Sequence, residues 1–365
     1  MYYFIYPSED TTIYEGNLTS SLNAGQDQIL EIQKIIDDTG TVVNVSRVLI
    51  KFDYTDITRK RNSGIIPSDA KYYLNLYDAG AQELKIEQSL HVYMISGSWN
   101  QGSGFSTSNP VIEDGASWKY RGGSAEGNFW VENAPDGVGG TWFTGSISGQ
   151  YNVSSSFNLN YDTKDLKIDV TDLVNNQILS GSIYGNNGFI LKREHIQTSQ
   201  SFVTHTVYPP KLEVEWDDSV WNTGSLDPLS STDLERLTVY FKGIRPEYKE
   251  KSKVRFRIVG RELYPTRGFD TTPTALNVKY LPSGSRTLQQ GTYYSIQDSS
   301  TGEVITPFST GSLISCDSQG NFFNVDMNAF QPERYYKFLI KVVSGSGVDQ
   351  TSMVYDEDYE FKVVR

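Results

Sequence analysis

The sequence predicts an all-β protein built from two β-sandwich domains. Aromatic residues make up 13% of the 365 residues and glycine contributes 31, a composition that favours strands and turns. Residues 46–53 form a mostly apolar, β-branched run, which needs cover on both faces and is typical of a central strand. Similar short runs recur along the first part of the chain, at residues 72–77, 90–95, 166–170, 189–192 and 212–216.

The first fifty residues predict a strand followed by a hairpin. Residues 1–16 have the composition of a first strand, and residues 29–35 alternate apolar and polar side chains as a half-buried strand does. Asp37-Asp38-Thr39-Gly40 is a turn sequence that leads into the central strand. Residues 59–67 are basic and contain Gly and Pro, so we expect a loop there.

A Trp-rich segment interrupts this series of strands. Residues 96–156 are rich in Gly, Ser and Asn and carry Trp99, Trp118, Trp130 and Trp142. A loop of this length without structure is uncommon in a compact domain, so we expect an insertion of short strands and loops. Residues 171–179 then predict a helix that Thr171 or Asp172 caps.

The composition predicts a domain boundary after residue 216. Residues 217–233 are acidic and contain Ser, Thr, Gly and Pro, as a linker would. Residues 234–365 hold an immunoglobulin-like number of predicted strands. We therefore expect a jelly-roll-like sandwich at 1–216, a linker at 217–233 and an immunoglobulin-like sandwich at 234–365. The predicted strands of the second sandwich are 237–241, 254–259, 276–280, 291–297, 303–308, 322–327, 335–343 and 360–364.

Charge and cysteine content narrow the classes of function. The formal net charge is −12, which disfavours nucleic acid as a partner of the whole chain. No apolar run is long enough to span a membrane, and the N-terminal residues do not resemble a secretory signal. The single cysteine, Cys316, cannot form a disulfide within the chain, which fits folding in a reducing cytoplasm.

Residues 1–216 resemble the DNRLRE-type β-sandwich domain, a jelly-roll-like module related to carbohydrate-binding modules. Arg47 stands at a strand position that this family usually fills with Arg. The motifs that carry the resemblance follow the family's order: Thr12-Ile13-Tyr14-Glu15-Gly16-Asn17, Asn23-Ala24-Gly25, residues 46–53, Ser68-Asp69-Ala70 with residues 74–77, Ser98-Trp99, residues 168–174 and residues 187–192.

The resemblance implies a non-catalytic module of cell-surface proteins and phage virion proteins. Residues 234–365 look like immunoglobulin-like domains of large tailed-phage structural proteins. We therefore expect a structural virion protein of the neck, tail or surface, made in the host cytoplasm without a signal peptide. Its partners would be other virion proteins and further copies of itself, in a symmetric ring or array. The alternative is a carbohydrate-binding or receptor-binding protein that recognises a host surface glycan.

The tryptophans Trp99, Trp118, Trp130 and Trp142 are the candidate ligand or partner contacts. Flat indole rings can stack on sugar faces, which would make the segment a sugar platform. The other interpretation is that the rings fill satellite cores under long loops or lie against a neighbouring subunit.

The basic run that includes Lys253, Arg255 and Arg257 provides the candidate docking charges. Their alternation with apolar residues places the three cations on one face of a strand. They would dock an acidic partner surface and anchor the second domain to the assembly. The structural alternative is an edge strand kept soluble by its charges.

Catalytic and metal-binding motifs are not apparent in the sequence. The three histidines, His91, His195 and His205, show no metal-ligand spacing, and no nucleophile, acid or base stands in a recognisable motif. We expect no enzyme activity and no cofactor. Calcium is possible in a jelly roll but cannot be assigned, since no spacing selects among the available carboxylates Asp10, Asp53, Asp56 and Asp114.

Overall fold

A computed structural model shows an all-β protein with two compact units, which confirms the predicted sandwich class. We call Ile5–Val214 the first unit, and Met1–Phe4 together with Glu215–Arg365 the second unit. The structure describes residues 1–16, 20–79, 88–124, 128–130, 139–145, 152–159, 165–179, 181–193, 200–204, 208–229, 233–264, 278–283, 290–345 and 347–365.

The first half of the chain consists mainly of strands, with a few short helices between them. In chain order its elements are β1 (Tyr2–Ile5), β2 (Pro7–Tyr14), β3 (Glu31–Ile36), β4 (Val42–Phe52), α1 (Thr55–Asn62), β5 (Lys71–Leu76), β6 (Gln88–Met94), β7 (Ser154–Leu159), β8 (Leu166–Asp169), α2 (Thr171–Leu179), α3 (Gly181–Tyr184), β9 (Phe189–Arg193), β10 (Gln200–Val203) and β11 (Lys211–Glu215).

Among the described residues, two sheets build the first unit. One has seven strands in the order β10-β3-β4-β9-β6-β7, with β2 also paired to β4, and the other contains β11, β5 and β8 side by side. The central β4 runs antiparallel to β2, β3 and β9. Alternate residues of both sheets are fully buried, which gives each sheet an apolar inner face. These inner residues include Val48, Ile50, Val92, Leu191, Leu74, Ile168 and Val214.

The sequence predicts α2 of the first unit but not α1. The predicted helix at 171–179 is confirmed as α2, but the predicted caps Thr171 and Asp172 lie within its first turn, and Asp169 accepts a hydrogen bond from the Thr171 amide at 2.9 Å. The expectation of a loop at 59–67 is wrong for its first part, because α1 extends to Asn62. Asp53 accepts the Thr55 amide at the start of α1, and that helix ends before the turn at Gly64, where φ is +72°.

The second unit is made mainly of strands. They are β12 (Leu237–Lys242), β13 (Glu247–Lys249), β14 (Lys253–Glu262), β15 (Gly291–Asp298), β16 (Val304–Thr306), β17 (Ser315–Asp317), β18 (Gly320–Asp326), β19 (Tyr335–Ser344), β20 (Thr351–Tyr355) and β21 (Glu360–Val364). Of the predicted strand at 276–280, residues 276 and 277 lie outside the described part.

The strand order of the second unit is that of an immunoglobulin-like sandwich. One sheet runs β12-β14-β18-β17, which corresponds to strands A, B, E and D of that fold. The other runs β13-β21-β19-β15-β16, in which β19 and β15 take the places of strands F and C. The two sheets enclose one core, where Phe256 of β14 lies 4.7 Å from Phe338 of β19.

Aromatic contacts stand where antibody domains carry their inter-sheet disulfide. Tyr336, near the start of β19, donates its hydroxyl to the Gln331 carbonyl at 3.0 Å, which is the tyrosine corner of this fold. Phe338 follows two residues later, at the place of the second cysteine, and meets Phe256 on the facing sheet. Tyr294 of β15 stacks on Phe323 at 4.1 Å. Contacts between aromatic rings therefore connect the two sheets across the core.

The division of the chain differs from the expected linker. Cys316 donates its amide to the Val220 carbonyl and accepts the Asn222 amide, so this stretch pairs with β17. Trp221 packs edge-on against Tyr280 at 6.1 Å. The described residues of 217–233 are thus part of the second unit, because their backbone and their one large apolar side chain are used in its packing. Tyr2 and Phe4 also lie in that core, so residues 1–16 are not one strand of the first unit.

Candidate interaction surfaces

The four tryptophans form a buried cluster. Their exposed fractions are 6% for Trp99, 5% for Trp118, 2% for Trp130 and 5% for Trp142. The rings pack with Ile13, Leu49 and Ile190, which come from neighbouring strands of the seven-stranded sheet. By strand alternation, Leu49 and Ile190 face away from the inner face. The described part of the Trp-rich segment therefore covers the outer face of this sheet.

Indole hydrogen bonds also point into the protein. The Trp99 ring N–H donates to the Asn187 carbonyl at 2.7 Å, and the Trp130 ring N–H donates to the Ser117 carbonyl at 2.8 Å. A sugar platform needs exposed ring faces, and these rings are used in internal packing. The expectation of a platform made by Trp99, Trp118, Trp130 and Trp142 is therefore corrected: they form a satellite core.

Asn23 holds the loops of the Trp-rich segment together. Its amide nitrogen donates to the Gln101 carbonyl at 2.7 Å and to the Ala116 carbonyl at 3.0 Å. Its amide oxygen accepts the Gly104 amide at 2.8 Å. The side chain is fully buried, and a Cβ atom at Gly102, Gly104 or Gly115 would clash with it. One asparagine thus replaces the backbone pairing that a strand would supply.

Arg47 fixes the cluster to the central strand. Its guanidinium lies 4.6 Å from the Trp118 ring centre and 5.2 Å from that of Trp142, and it donates to the Gly139 carbonyl at 2.7 Å. Lys192 extends the series, with its ammonium 4.5 Å from the Trp142 ring centre. Alternating cations and rings gain both electrostatic attraction and apolar contact. The Arg position that the family resemblance marks is structural in this chain.

The outer face of the β12-β14-β18-β17 sheet carries the predicted docking charges. Lys253, Arg255 and Arg257 point outward from β14, while Phe256 and Ile258 point into the core, as the alternation predicted. The alternative of an edge strand is wrong, since β14 pairs with β12 on one side and with β18 on the other. The charges therefore need another explanation than protection of an open edge.

The three cations differ in how much of their charge is used within the chain. Arg257 makes a bidentate pair with Asp317, at 2.9 and 2.8 Å, which lowers the pKa of that carboxyl. Arg255 stacks on Phe322 at 4.1 Å, donates to the Asn324 side chain at 3.2 Å and lies 3.8 Å from an Asp317 carboxylate oxygen, yet its side chain stays 51% exposed. Lys253 is exposed. Arg255 and Lys253 can therefore contact a partner without disrupting the sheet.

A polar cleft lies beside the start of α2 in the first unit. It has a volume of about 370 Å³ and is lined mainly by hydroxyl, amide and charged groups. Asn152 donates to Asp172 at 2.8 Å, and Ser155 donates to the Asp169 carbonyl at 2.6 Å. Asn152, Ser155 and Asp172 therefore use these polar groups in hydrogen bonds within the protein.

The carboxylates considered for calcium are not brought together. Burial raises the pKa of Asp10 to about 6, Asp53 accepts the Thr55 amide, Asp56 pairs with Arg59, and Asp114 accepts from Ser103. Within the described ranges, no three His, Cys, Asp or Glu side chains are grouped as metal ligands. His195 and His205 lie outside those ranges.

Cys316 is a packing residue of β17. It is fully buried, and burial raises the pKa of its thiol to about 11, so the thiolate that a nucleophile requires is disfavoured.

Across the part of the chain that the structure covers, no helix is long and apolar enough to cross a membrane.

Comparison with known proteins does not assign a family. No family model matches the chain, and no curated protein matches it. A solved structure of a DUF4785 family protein from Legionella pneumophila is similar at 8% identity with a TM-score of 0.20. That match covers 100% of this chain, and the chain spans 64% of the Legionella protein. A likeness this weak carries no argument about function.

Proposed function

We propose that this chain is a non-enzymatic structural protein of a tailed-phage virion, placed at the neck, tail or surface, that acts through protein–protein contacts. The observation that carries the proposal is the outward row of cations on β14. An interior strand has no open edge to protect, yet it presents Lys253 and Arg255 to solvent in a chain with a net charge of −12. Such a surface suits an acidic protein partner.

The basic face is also prepared for binding. Arg255 lies flat on Phe322 and its Nε is held by Asn324, so the side chain has already lost much of its rotamer freedom. A side chain ordered before binding loses less entropy when the complex forms. The face therefore supports the role expected of the second unit, which is to anchor the protein to its assembly.

The placement in a virion is supported by the family resemblance of residues 1–216. Mass spectrometry of purified particles of a phage that encodes this chain tests it. We expect the chain among the particle proteins at a copy number that matches a symmetric ring or array. If purified particles lack it while infected cells contain it, the virion proposal is refuted.

A charge-reversal variant tests the basic face. Lys253→Glu combined with Arg255→Glu should slow incorporation and reduce its salt sensitivity, because exposed charges mainly affect the rate of encounter. Arg257 is left unchanged because its pair with Asp317 supports the sheet itself. Lys71→Glu with Lys119→Glu is the matched control, since these lysines are also exposed and give the same charge change. Equal incorporation by both variants would reject the basic face as the anchor.

A further inference from the structure

The β3–β4 hairpin of the first unit ends in an ordered, acidic tip. Asp37 accepts the amides of Thr39 and Thr41, both at 2.9 Å, and the Thr39 hydroxyl at 2.6 Å. These bonds hold the pKa of Asp37 below its usual value, so it is ionised at neutral pH. Asp38 beside it is exposed. The tip thus presents two carboxylates in a fixed turn.

The same tip exposes apolar side chains. Ile35 is 41% exposed, Val42 43% and Val43 55%. Val42 and Val43 lie in β4 where its register with β3 is interrupted, so Val43 is left without a partner residue on β3. A rigid element with apolar sides and a charged end has the composition of an interface, in which an apolar centre is surrounded by charged groups. Exposed apolar residues scattered singly are ordinary, whereas apolar residues grouped on one surface mark interaction sites.

The basic face of the second unit has the opposite charge. Lys242 lies opposite Arg257 in the sheet register, so it adds a third exposed cation to Lys253 and Arg255. The first unit, residues 5–214, holds 15 Lys and Arg against 24 Asp and Glu, so its general charge also favours approach to a basic surface.

We propose that the β3–β4 hairpin tip of one copy docks on the basic face of β12, β14 and β18 in a second copy of this chain. Asp37 and Asp38 meet Lys253 and Arg255, and the apolar tip covers the stacked Arg255 and Phe322. The two surfaces differ, so the contact is head-to-tail and repeats from copy to copy, which generates a ring or a filament. The inference rests on the proposed function in one respect, since it assigns the partner of the same basic face.

The test is self-association of the full purified chain, measured by sedimentation velocity at low and at high salt. Asp37→Asn with Asp38→Lys changes the tip charge from −2 to +1, and asparagine keeps the acceptor that the turn needs. Val42→Ser with Val43→Ser removes the apolar sides. Lys253→Glu with Arg255→Glu reverses the receiving face, and the matched control is again Lys71→Glu with Lys119→Glu.

We expect the unaltered chain to associate at low salt, and each of the first three variants to weaken the association at least tenfold. Combining the reversed tip with the reversed face should restore it, while the control should leave it unchanged. A chain that stays monomeric at roughly 100 μM, which is 100 times the Kd of a micromolar complex, overturns the inference. Association that all variants share also overturns it.

Failure of this inference is separate from failure of the virion proposal. A chain present in particles but monomeric in solution at low salt contradicts the hairpin contact alone. A chain that associates through the charge-swapped surfaces but is absent from particles contradicts the virion placement alone.

Discussion

Asn23 shows how one buried amide organises a long irregular segment. Asn23→Ala removes the hydrogen-bond partner of two carbonyls and of two backbone amides, those of Gly25 and Gly104, and each such loss costs about 1–3 kcal/mol. We expect the free energy of unfolding of the first unit to fall by at least about 3 kcal/mol in chemical denaturation. Asn158→Ala, at an exposed site, is the control and should change it by less than about 0.5 kcal/mol. Similar losses in both variants would contradict the role of Asn23.

Tyr336 allows a test of a single hydrogen bond in the second unit. Tyr336→Phe removes only the hydroxyl that donates to Gln331, and we expect a loss of about 1 kcal/mol or more because the carbonyl stays partly buried. Tyr335→Phe is a matched control at the next position, where the ring is exposed and no such bond is made. Equal denaturation midpoints for the two variants would refute a stabilising tyrosine corner.

Asp10 makes the stability of the first unit depend on pH. Burial raises the pKa of its carboxyl to about 6, above the value of 3.8 expected in the unfolded chain. A raised pKa in the folded state gives a contribution that is complete below pH 3.8 and is lost as pH rises through about 6. The shift corresponds to about 3 kcal/mol at about 1.4 kcal/mol per pKa unit.

The comparison with Asp10→Asn isolates this effect, because asparagine resembles the protonated carboxyl at every pH. Relative to the variant, the unaltered chain should lose stability between pH 4 and pH 7 in urea denaturation. Asp69→Asn at an exposed position should run parallel to the unaltered chain. A constant difference between Asp10→Asn and the unaltered chain across this range would show that Asp10 does not titrate as described.

At the scale of the element, the tryptophan cluster should respond to mutation as a core does. Trp118→Ala removes a ring that contacts Arg47 and the other buried rings, and a Phe or Trp truncated to Ala in a core typically costs 3–5 kcal/mol. We expect a loss of about that size, with glycan-array signals no different from those of the unaltered chain. Binding of a glycan that Trp118→Ala abolishes without loss of stability would restore the sugar platform.

The periodicity of apolar residues makes an element predictable where one of its faces is buried and the other is exposed to solvent. The alternation around Lys253, Arg255 and Arg257 assigned both faces of β14, and residues 171–179 gave the bounds of α2. The sequence predicts an insertion in the Trp-rich segment, but it allows two interpretations of the Trp rings. A sequence shows that a ring is present but does not show which residues bury it. Here Asn23, Arg47 and Ile190 hold or contact the Trp-rich segment, and all three are distant from it in the chain.

At the scale of the whole molecule, residues 217–229 can be tested as part of the second unit. Trp221→Ala in the full chain should destabilise that unit by about 2–3 kcal/mol, because the ring packs on Tyr280 and against its core. Val220→Ala is the neighbouring control, since its side chain is exposed and a surface change is typically within 0.5 kcal/mol. Equal denaturation midpoints for the two variants would indicate that this stretch is a linker and not part of the second unit.

The boundary was misplaced because composition describes solvent preference and not pairing. Residues 217–229 are polar, yet the backbone of Val220 and Asn222 is used beside β17, which no composition reveals. The immunoglobulin-like strand count expected from the sequence agrees with the strand order of the same unit. Long-range partners such as Tyr2 and Phe4 were missed because nothing in their immediate sequence points to a core more than two hundred residues away.

That remote pairing has a consequence for the order of events during synthesis. Tyr2 and Phe4 leave the ribosome long before Phe323 and Phe361 of the same core. Domains generally fold as units as they emerge, so the first unit can fold while the second still lacks most of its strands. Tyr2 and Phe4 then lack their core partners until the strands of the second unit have been synthesised. Contacts between segments so far apart in the chain form slowly, so we expect the closing of this core to be the last step of folding.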